Sequence, residues 1–350
     1  MDLQKYRQPD LINHVIDDIK KHTASVKFME VCGTHTMAIG KWGIRKLLPK
    51  KIKLISGPGC PVCVTPSSVI DELSKLKKVT IATFGDLLRV PGSSGTLEKA
   101  RALGLRVEVV YSPMEALELA KQVETIFVGI GFETTIPGIA HTIKIAKQQN
   151  VSNFSVLPAC KLVPPALEAL IAGEETKIDG FLLPGHVSVI IGSAAYNFIP
   201  QKYGIGGVVT GFEPLDIIVG IKKLLENLDQ PQIINEYERV VTKDGNKNAQ
   251  AVMFEVFAVQ DALWRGLGWI PNSGLSIREE YAQFDALKKY GLRITDIPEN
   301  PQCRCGDVLQ GKIIPPSCTL FDKVCNPQNP VGPCMVSSEG SCAAYYKYER

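Results

Sequence analysis

Residues 125–149, TIFVGIGFETTIPGIAHTIKIAKQQ, contain the repeating unit of the chain. An apolar, β-rich run opens the stretch, a turn of glycine and polar residues follows, and a helix-like segment at 136–149 closes it. The same order recurs along the chain. β-rich runs stand at VKFMEV (26–31), KIKLIS (51–56), KVTIATF (78–84), RVEVVY (106–111), FSVLPA (154–159), GFLLP (180–184) and GGVVTG (206–211). Helix-like segments at 67–77, 113–123, 164–172 and 186–198 lie between them. Strand then helix, repeated in this way, predicts an α/β fold with parallel sheets flanked by helices. An echo between GIGFETT (129–135) and VTGFEP (209–214) favours two similar parallel-sheet, Rossmann-like domains over one large sheet.

The expected division falls near residue 120, giving α/β domains at 27–120 and 121–228. Residues 1–23 read as a helix with Leu11, Ile12, Val15, Ile16 and Ile19 on one face. From about residue 229 the alternation stops. Residues 236–259 and 277–291 read as mixed and largely helical, so 1–26 with 229–350 form the expected third, cysteine-rich domain. Its tail is rich in Pro and Gly and weak in periodicity. Such a segment buries too little apolar surface to hold itself, so a metal centre is expected to staple it.

The chain has 350 residues, 45% hydrophobic and 21% charged, with a net charge of +3. Charge so small and scattered argues against nucleic acid as a partner. No run reaches the roughly 18 to 20 apolar residues that span a bilayer, and the charged N-terminus has no signal core, so a cytoplasmic protein is expected. Ten cysteines in such a compartment point to metal or redox chemistry rather than structural disulfides.

In open α/β sheets ligands bind beyond the carboxyl ends of the strands. The residues found there are Cys32 and His35 in CGTHT, Cys60 and Cys63 in GPGCPVC, Asp86 and Arg89 in GDLLRVPG, Glu133, Thr134 and Thr135 in GFETTIPG, His186 in GHVSVIIG, and Glu213 in GFEP. Nearly every strand brings a polar or soft-ligand residue beside a glycine to one edge, the pattern of a cleft holding a site. The two-residue spacing of Cys60 and Cys63 lets both thiols face one point, as in a redox pair or half a metal site, and a following helix N-terminus is expected to lower a thiol pKa. Each group also has a plainer role. Cys32 alone is a small buried hydrophobe, His186 a cap, and Glu133 with its threonines the start of the next helix. Cys160 has no cysteine neighbour and reads as core. His14, His22 and His141 lie on helices and receive no role. The dinucleotide fingerprint, the phosphate loop and the GxSxG elbow are all absent.

Six cysteines crowd into residues 303–350: Cys303, Cys305, Cys318, Cys325, Cys334 and Cys342. The set exceeds the four that one zinc or one [4Fe–4S] cluster takes, and it lacks the paired short spacings of zinc sites. Long irregular spacings among cysteines alone fit an iron–sulfur cluster with two thiols left over; spacing does not say which four bind.

CGTHT, GPGCPVC, FGDLLRVPG, GFETTIP, PGHVSVIIG and CMVSSEGSCAAYY, in that order from about residue 27 to the end, resemble the HypD family of hydrogenase maturation proteins. The resemblance implies a scaffold more than a turnover enzyme. With its partner HypC it would hold the iron on which the Fe(CN)2CO unit of [NiFe]-hydrogenase is assembled, taking cyanide from HypE with HypF upstream. It implies cleft residues Cys32, His35, Cys60, Cys63 and Glu133, with Cys32, Cys60 and Cys63 as thiols for that iron. It also implies [4Fe–4S] ligands Cys303, Cys318, Cys325 and Cys342, leaving Cys305 and Cys334 as a redox disulfide pair. His35 would orient or protonate beside the iron, and Glu133, Thr134, Asp86 and Arg89 would form a polar pocket for its diatomic ligands. A monomer is expected in the absence of partners. The competing readings are an iron–sulfur thiol–disulfide oxidoreductase acting on a partner protein, and an interaction protein whose tail holds structural zinc.

Overall fold

The computed structural model describes residues 3–173 and 176–350. Its strands are β1 (Val26–Glu30), β2 (Ile52–Ser56), β3 (Thr80–Thr83), β4 (Arg106–Val109), β5 (Thr125–Gly129), β6 (Phe154–Pro158), β7 (Gly180–Pro184), β8 (Gly206–Thr210), β9 (Ile233–Asn235), β10 (Phe257–Trp264) and β11 (Gly268–Ile277). Each β-rich run named above contains one of β1–β8. Two all-parallel sheets form, ordered β2-β1-β7-β8-β9 and β4-β3-β5-β6, beside an antiparallel β10–β11 hairpin. The inner strands β5, β7 and β8 are buried along their whole length, which is why they read as unbroken apolar runs rather than alternations.

The sheets do not divide at residue 120. The chain lays down β1 and β2, crosses to build the whole second sheet from β3 to β6, and returns with β7 between β1 and β8. Both sheets use the same local alternation of strand and helix, so nothing in that pattern marks the crossing. The unit expected from 1–26 and 229–350 is divided as well. Ile16 and Ile19 of the N-terminal helix (Pro9–Lys21) are buried in one core with Phe28, Leu182, Val208 and Ile217 of the first sheet and its helix Pro214–Glu226. β9 completes that first sheet. Phe257, Leu275 and Ile277 of the hairpin pack instead with Phe127, Phe154 and Val156 of the second sheet.

The stretch expected as helix at 186–198 breaks into Gly185–Ile191 and Phe198–Tyr203. Gly192 between them has φ 82, and a Cβ there would meet the Lys243 carbonyl oxygen at 2.2 Å. The break turns the first of these helices toward the cleft described below. The tail adds only short helices, Cys305–Leu309, Pro333–Val336 and Ser341–Tyr348. It shares a core with Met29, Ile55, Cys63, Phe181 and Trp264, so it closes over the first sheet and the CPVC loop. No helix among the described residues is long and apolar enough to cross a membrane.

Phe127 is fully buried in the second sheet, at 0% exposure. Phe127→Ala is expected to lower unfolding free energy by about 3–5 kcal/mol, measured by chemical denaturation with an unchanged slope.

Candidate functional site

Cys32 lies just past β1 and caps the helix Gly33–Lys41 from an extended backbone, φ −148. The N–H of Gly33 donates to the Gly59 carbonyl at 2.9 Å, tying this helix start to the loop that carries Cys60 and Cys63. The backbone N–H groups of Thr34 and His35 point at the Cys32 sulfur and favour its thiolate, but burial, and then Glu339, push the thiol up to about 12. The expected lowering in CPVC is overturned at Cys63. The helix Ser67–Ser74 begins beyond the loop, Cys63 is fully buried, and burial raises its thiol well above the ordinary range.

Beside Cys32 opens a cleft of ≈ 420 Å³ whose walls include Thr34, Pro61, Thr134, Thr135, His186 and Glu339. Thr135 makes no side-chain capping bond, so the threonines face the cleft rather than serving the next helix. Glu133 does not line it. Its side chain turns inward, where one oxygen accepts the Val163 N–H at 2.9 Å and the other has no partner. Burial raises this carboxyl to about 7. Its place in a polar pocket beside Cys32 is thus taken by Thr134, because one step along the chain reverses which side chain faces out.

The His35 ring is also inward, with Nε2 2.9 Å from the Gly211 carbonyl oxygen and Nδ1 without a partner. Burial lowers its pKa to about 4, so the ring is neutral, Nε2–H donates to Gly211, and Nδ1 keeps a free lone pair. Phe212 packs on this ring at 4.7 Å and on the His186 ring at 4.0 Å. His186, at the cleft wall, is lowered by burial too. Glu213 stands apart from the cleft. It caps the helix Pro214–Glu226 and is gripped by Arg7 through two hydrogen bonds.

Asp86 and Arg89 serve the tail instead of the cleft. The Cys60 thiol donates to Ser337 Oγ at 3.3 Å, and Ser337 Oγ donates to Asp86 at 2.9 Å. Arg89 donates to the Pro327 and Gln328 carbonyls. The tail folds between these two side chains and the cleft. Glu339 belongs to the same segment, and Thr34 Oγ1 donates to it at 2.7 Å. Neither Ser337 nor Glu339 was assigned a role from sequence; the only signal was that both fall inside the CMVSSEGSC stretch.

Tail cysteines Cys303, Cys305, Cys318, Cys325 and Cys342 line one small cavity with Leu320, Phe321 and Met335. Cys334 is fully buried beside the Cys305, Cys342 and Cys63 thiols, whose proximity draws it well below the usual thiol range. Cys63 is bonded in turn to Cys60. An unbroken series of thiol contacts therefore runs from the CPVC loop to the tail cavity. All ten cysteines are free thiols. The donor set suits an iron–sulfur cluster: beside Arg304 and apolar groups, the only metal-ligating side chains in the cavity walls bear sulfur, and the Val331 N–H donates to Cys325 Sγ at 3.4 Å, the kind of bond that tunes such ligands. Gly332 leaves room for it, since a Cβ there would meet the Cys303 and Cys305 sulfurs at 2.5 and 2.6 Å. No three His, Cys, Asp or Glu side chains among the described residues converge as they would on a single ion. Cys160, in the core as expected, donates to the Gly129 carbonyl.

A family model described as the hydrogenase formation hypA family, and labelled HypD, matches residues 10–349. The chain belongs to the HypD family. Its relatives include "Hydrogenase maturation factor HypD" of Cupriavidus necator, 42% identical, covering 99% of this chain and 97% of that protein. The protein of the same name in Escherichia coli is also 42% identical, covering 99% and 98%, and that of Azotobacter vinelandii is 44% identical, covering 93% and 89%. Hydrogenase maturation is therefore the role of this family member.

Glu133 gives this site a pH signature. Burial raises its carboxyl from the ordinary glutamate range to about 7, so the folded state binds a proton that the unfolded state has released. The stability it contributes is complete below the unfolded pKa and is lost as pH climbs to the folded one. Glu133→Gln should remove a loss of about 1.4 kcal/mol per pH unit across that window and leave the variant more stable than the parent at pH 8. Urea melts across pH would read the difference.

Proposed function

We propose that this chain holds iron through Cys32 while the Fe(CN)2CO unit of [NiFe]-hydrogenase is assembled, with HypC supplying a further ligand and HypE delivering cyanide. The iron is cargo, bound in the cleft and then passed on. The observation that carries the reading is the series of neighbouring thiols joining the CPVC loop beside Cys32 to the cysteine-lined cavity of the tail. A low-spin iron carrying cyanide and CO suits thiolate ligands. Thr134, Thr135 and His186 are the polar groups at the cleft wall available to such diatomic ligands.

Cyanide carried on a partner as a thiocyanate must be released by reduction. Cys60 and Cys63 provide two electrons and two protons as they close to a disulfide. The partner's S–C bond breaks, leaving a thiol, cyanide and one proton. Ser337 and Asp86 give the Cys60 proton a route outward. Cys334 and Cys305 then return the dithiol form by exchange. In the tail, Cys303, Cys318, Cys325 and Cys342 would hold a [4Fe–4S] cluster, which when bound would supply the electrons that reopen the Cys305–Cys334 disulfide left by that exchange.

The deciding measurement is iron and acid-labile sulfide on anaerobically purified protein, with infrared spectra after co-expression with HypC. About four irons and four sulfides, with one further iron and cyanide and CO bands lost in Cys32→Ala, are expected. Clustered iron without those bands would favour an oxidoreductase acting on a partner's disulfide, and zinc would overturn both. A second test concerns the proton route. Asp86→Asn should slow alkylation of Cys60 about tenfold or more, read by mass spectrometry, while Cys160 alkylation stays unchanged.

A further inference from the structure

Asp86 follows the carboxyl end of β3 and touches the thiol site. At the opposite end, where β3 and β4 begin, lies a separate cleft of ≈ 750 Å³. Its walls come from the turn at 74–79, the helix Leu97–Ala102 and the segment leading into β4. They carry Lys75, Lys77, Lys78, Lys99 and Arg106 and no carboxylate. Lys75 is paired with Glu72. The other four have no ion-pair partner among the described residues.

This basic cleft runs onto an uncovered sheet edge. β4 is an outer strand of its sheet, and Arg106, Glu108 and Val109 are exposed while only Val107 is buried. β2 and β6, edge strands too, are buried along most of their length. The Val110 N–H donates inward to Thr83 at 3.0 Å. Alternation along a strand then turns the N–H groups of Val107 and Val109 outward. Large apolar side chains stand exposed on both sides of the strand: Leu103 is 90% accessible and Tyr111 87%.

We propose that β4 and the basic cleft form a docking surface for an extended acidic segment of a partner protein, which adds to the sheet as a fifth strand. Its backbone would take the outward N–H groups, its carboxylates would meet Lys77, Lys78, Lys99 and Arg106, and apolar residues between them would cover Leu103 and Tyr111. Glu98 and Glu108 offset part of the positive charge without reversing it. The same cations repel a second copy of this strand, a common protection of bare edges, but they attract an acidic one. A small polyanion would leave the apolar side chains and the strand edge without a role. Because the surface lies at the end of the second sheet opposite Asp86 and the thiol site, its occupant is tethered there rather than transformed. The inference rests on the reading above only in that a maturation factor works with partner proteins.

The test uses the purified full chain and a labelled peptide of about eight alternating Glu and Val residues, followed by fluorescence anisotropy. Binding is expected, weakening with salt, and absent for the matching Lys and Val peptide. The double variant Lys77→Glu/Lys99→Glu should bind at least about tenfold more weakly. So should Val109→Pro, which removes an outward N–H and leaves the bonds to β3 in place. Equal binding by the parent and both variants would overturn the proposal. Full displacement by inorganic triphosphate with Val109→Pro unaffected would also overturn it and mark a small-anion site instead. No iron is needed, so failure here is separate from failure of the assembly reading.

Discussion

The molecule depends on how residues 337–342 fold back onto the start of the helix at Cys32. Ser337 meets Cys60 and Asp86, and Glu339 meets Thr34. On the far side of this contact Arg45 holds Glu30 and Glu349 together, beneath the Tyr345 ring. Glu30 is fully buried two residues before Cys32, and burial raises it to about 7 despite Arg45. Glu30 Oε2 and Arg45 Nη2 are left without a hydrogen-bond partner, so this pair adds charge attraction rather than a closed network. The contacts of Ser337, Glu339 and Glu349 hold the tail against the first helix of the cleft, and so bring together two thiol sites that lie nearly 300 residues apart in sequence.

That packing explains why the thiols differ. They share a chemistry, yet Cys32 is pushed up by burial and a nearby carboxylate while Cys334 is drawn down by the thiols beside it. Burial strips a thiolate of its hydration, so a sulfur such as Cys32 resists ionising in proportion to the apolar surface around it.

Much of this was legible in the chain itself. Parallel strands covered on both faces announced themselves as apolar runs, as at β5, β7 and β8, the exposed edge strand β4 showed through its alternating valines, and the cysteines stood out by their spacing. The β10–β11 hairpin did not. Gln260, Asp261 and Asn272 interrupt its apolar pattern, a bulge shifts the register after Gln260, and the helix Lys247–Val256 runs directly into it. At the cleft, the segments were readable and the facing side chains were not. GFETT marked the right turn, but whether Glu133 or Thr134 points out is decided by a backbone bond to Val163 from another strand's loop. Glu339 was hidden for a similar reason, since its neighbour Thr34 is brought to it only by tertiary folding. Where the chain crosses between sheets was equally silent, because pairing partners leave no local mark.

The path of the chain also sets an order in time. The first sheet is opened by β1 and β2, left unfinished while the second is built, and completed only when β7 to β9 arrive. One wall of the cleft is Glu339, which follows Cys32 by some 300 residues of chain. Domains fold as their residues emerge, yet on this chain Cys32, Cys60 and Cys63 stay without a finished pocket until Glu339 has followed them. A chain made only as far as the second sheet therefore has these thiols but no chamber around them.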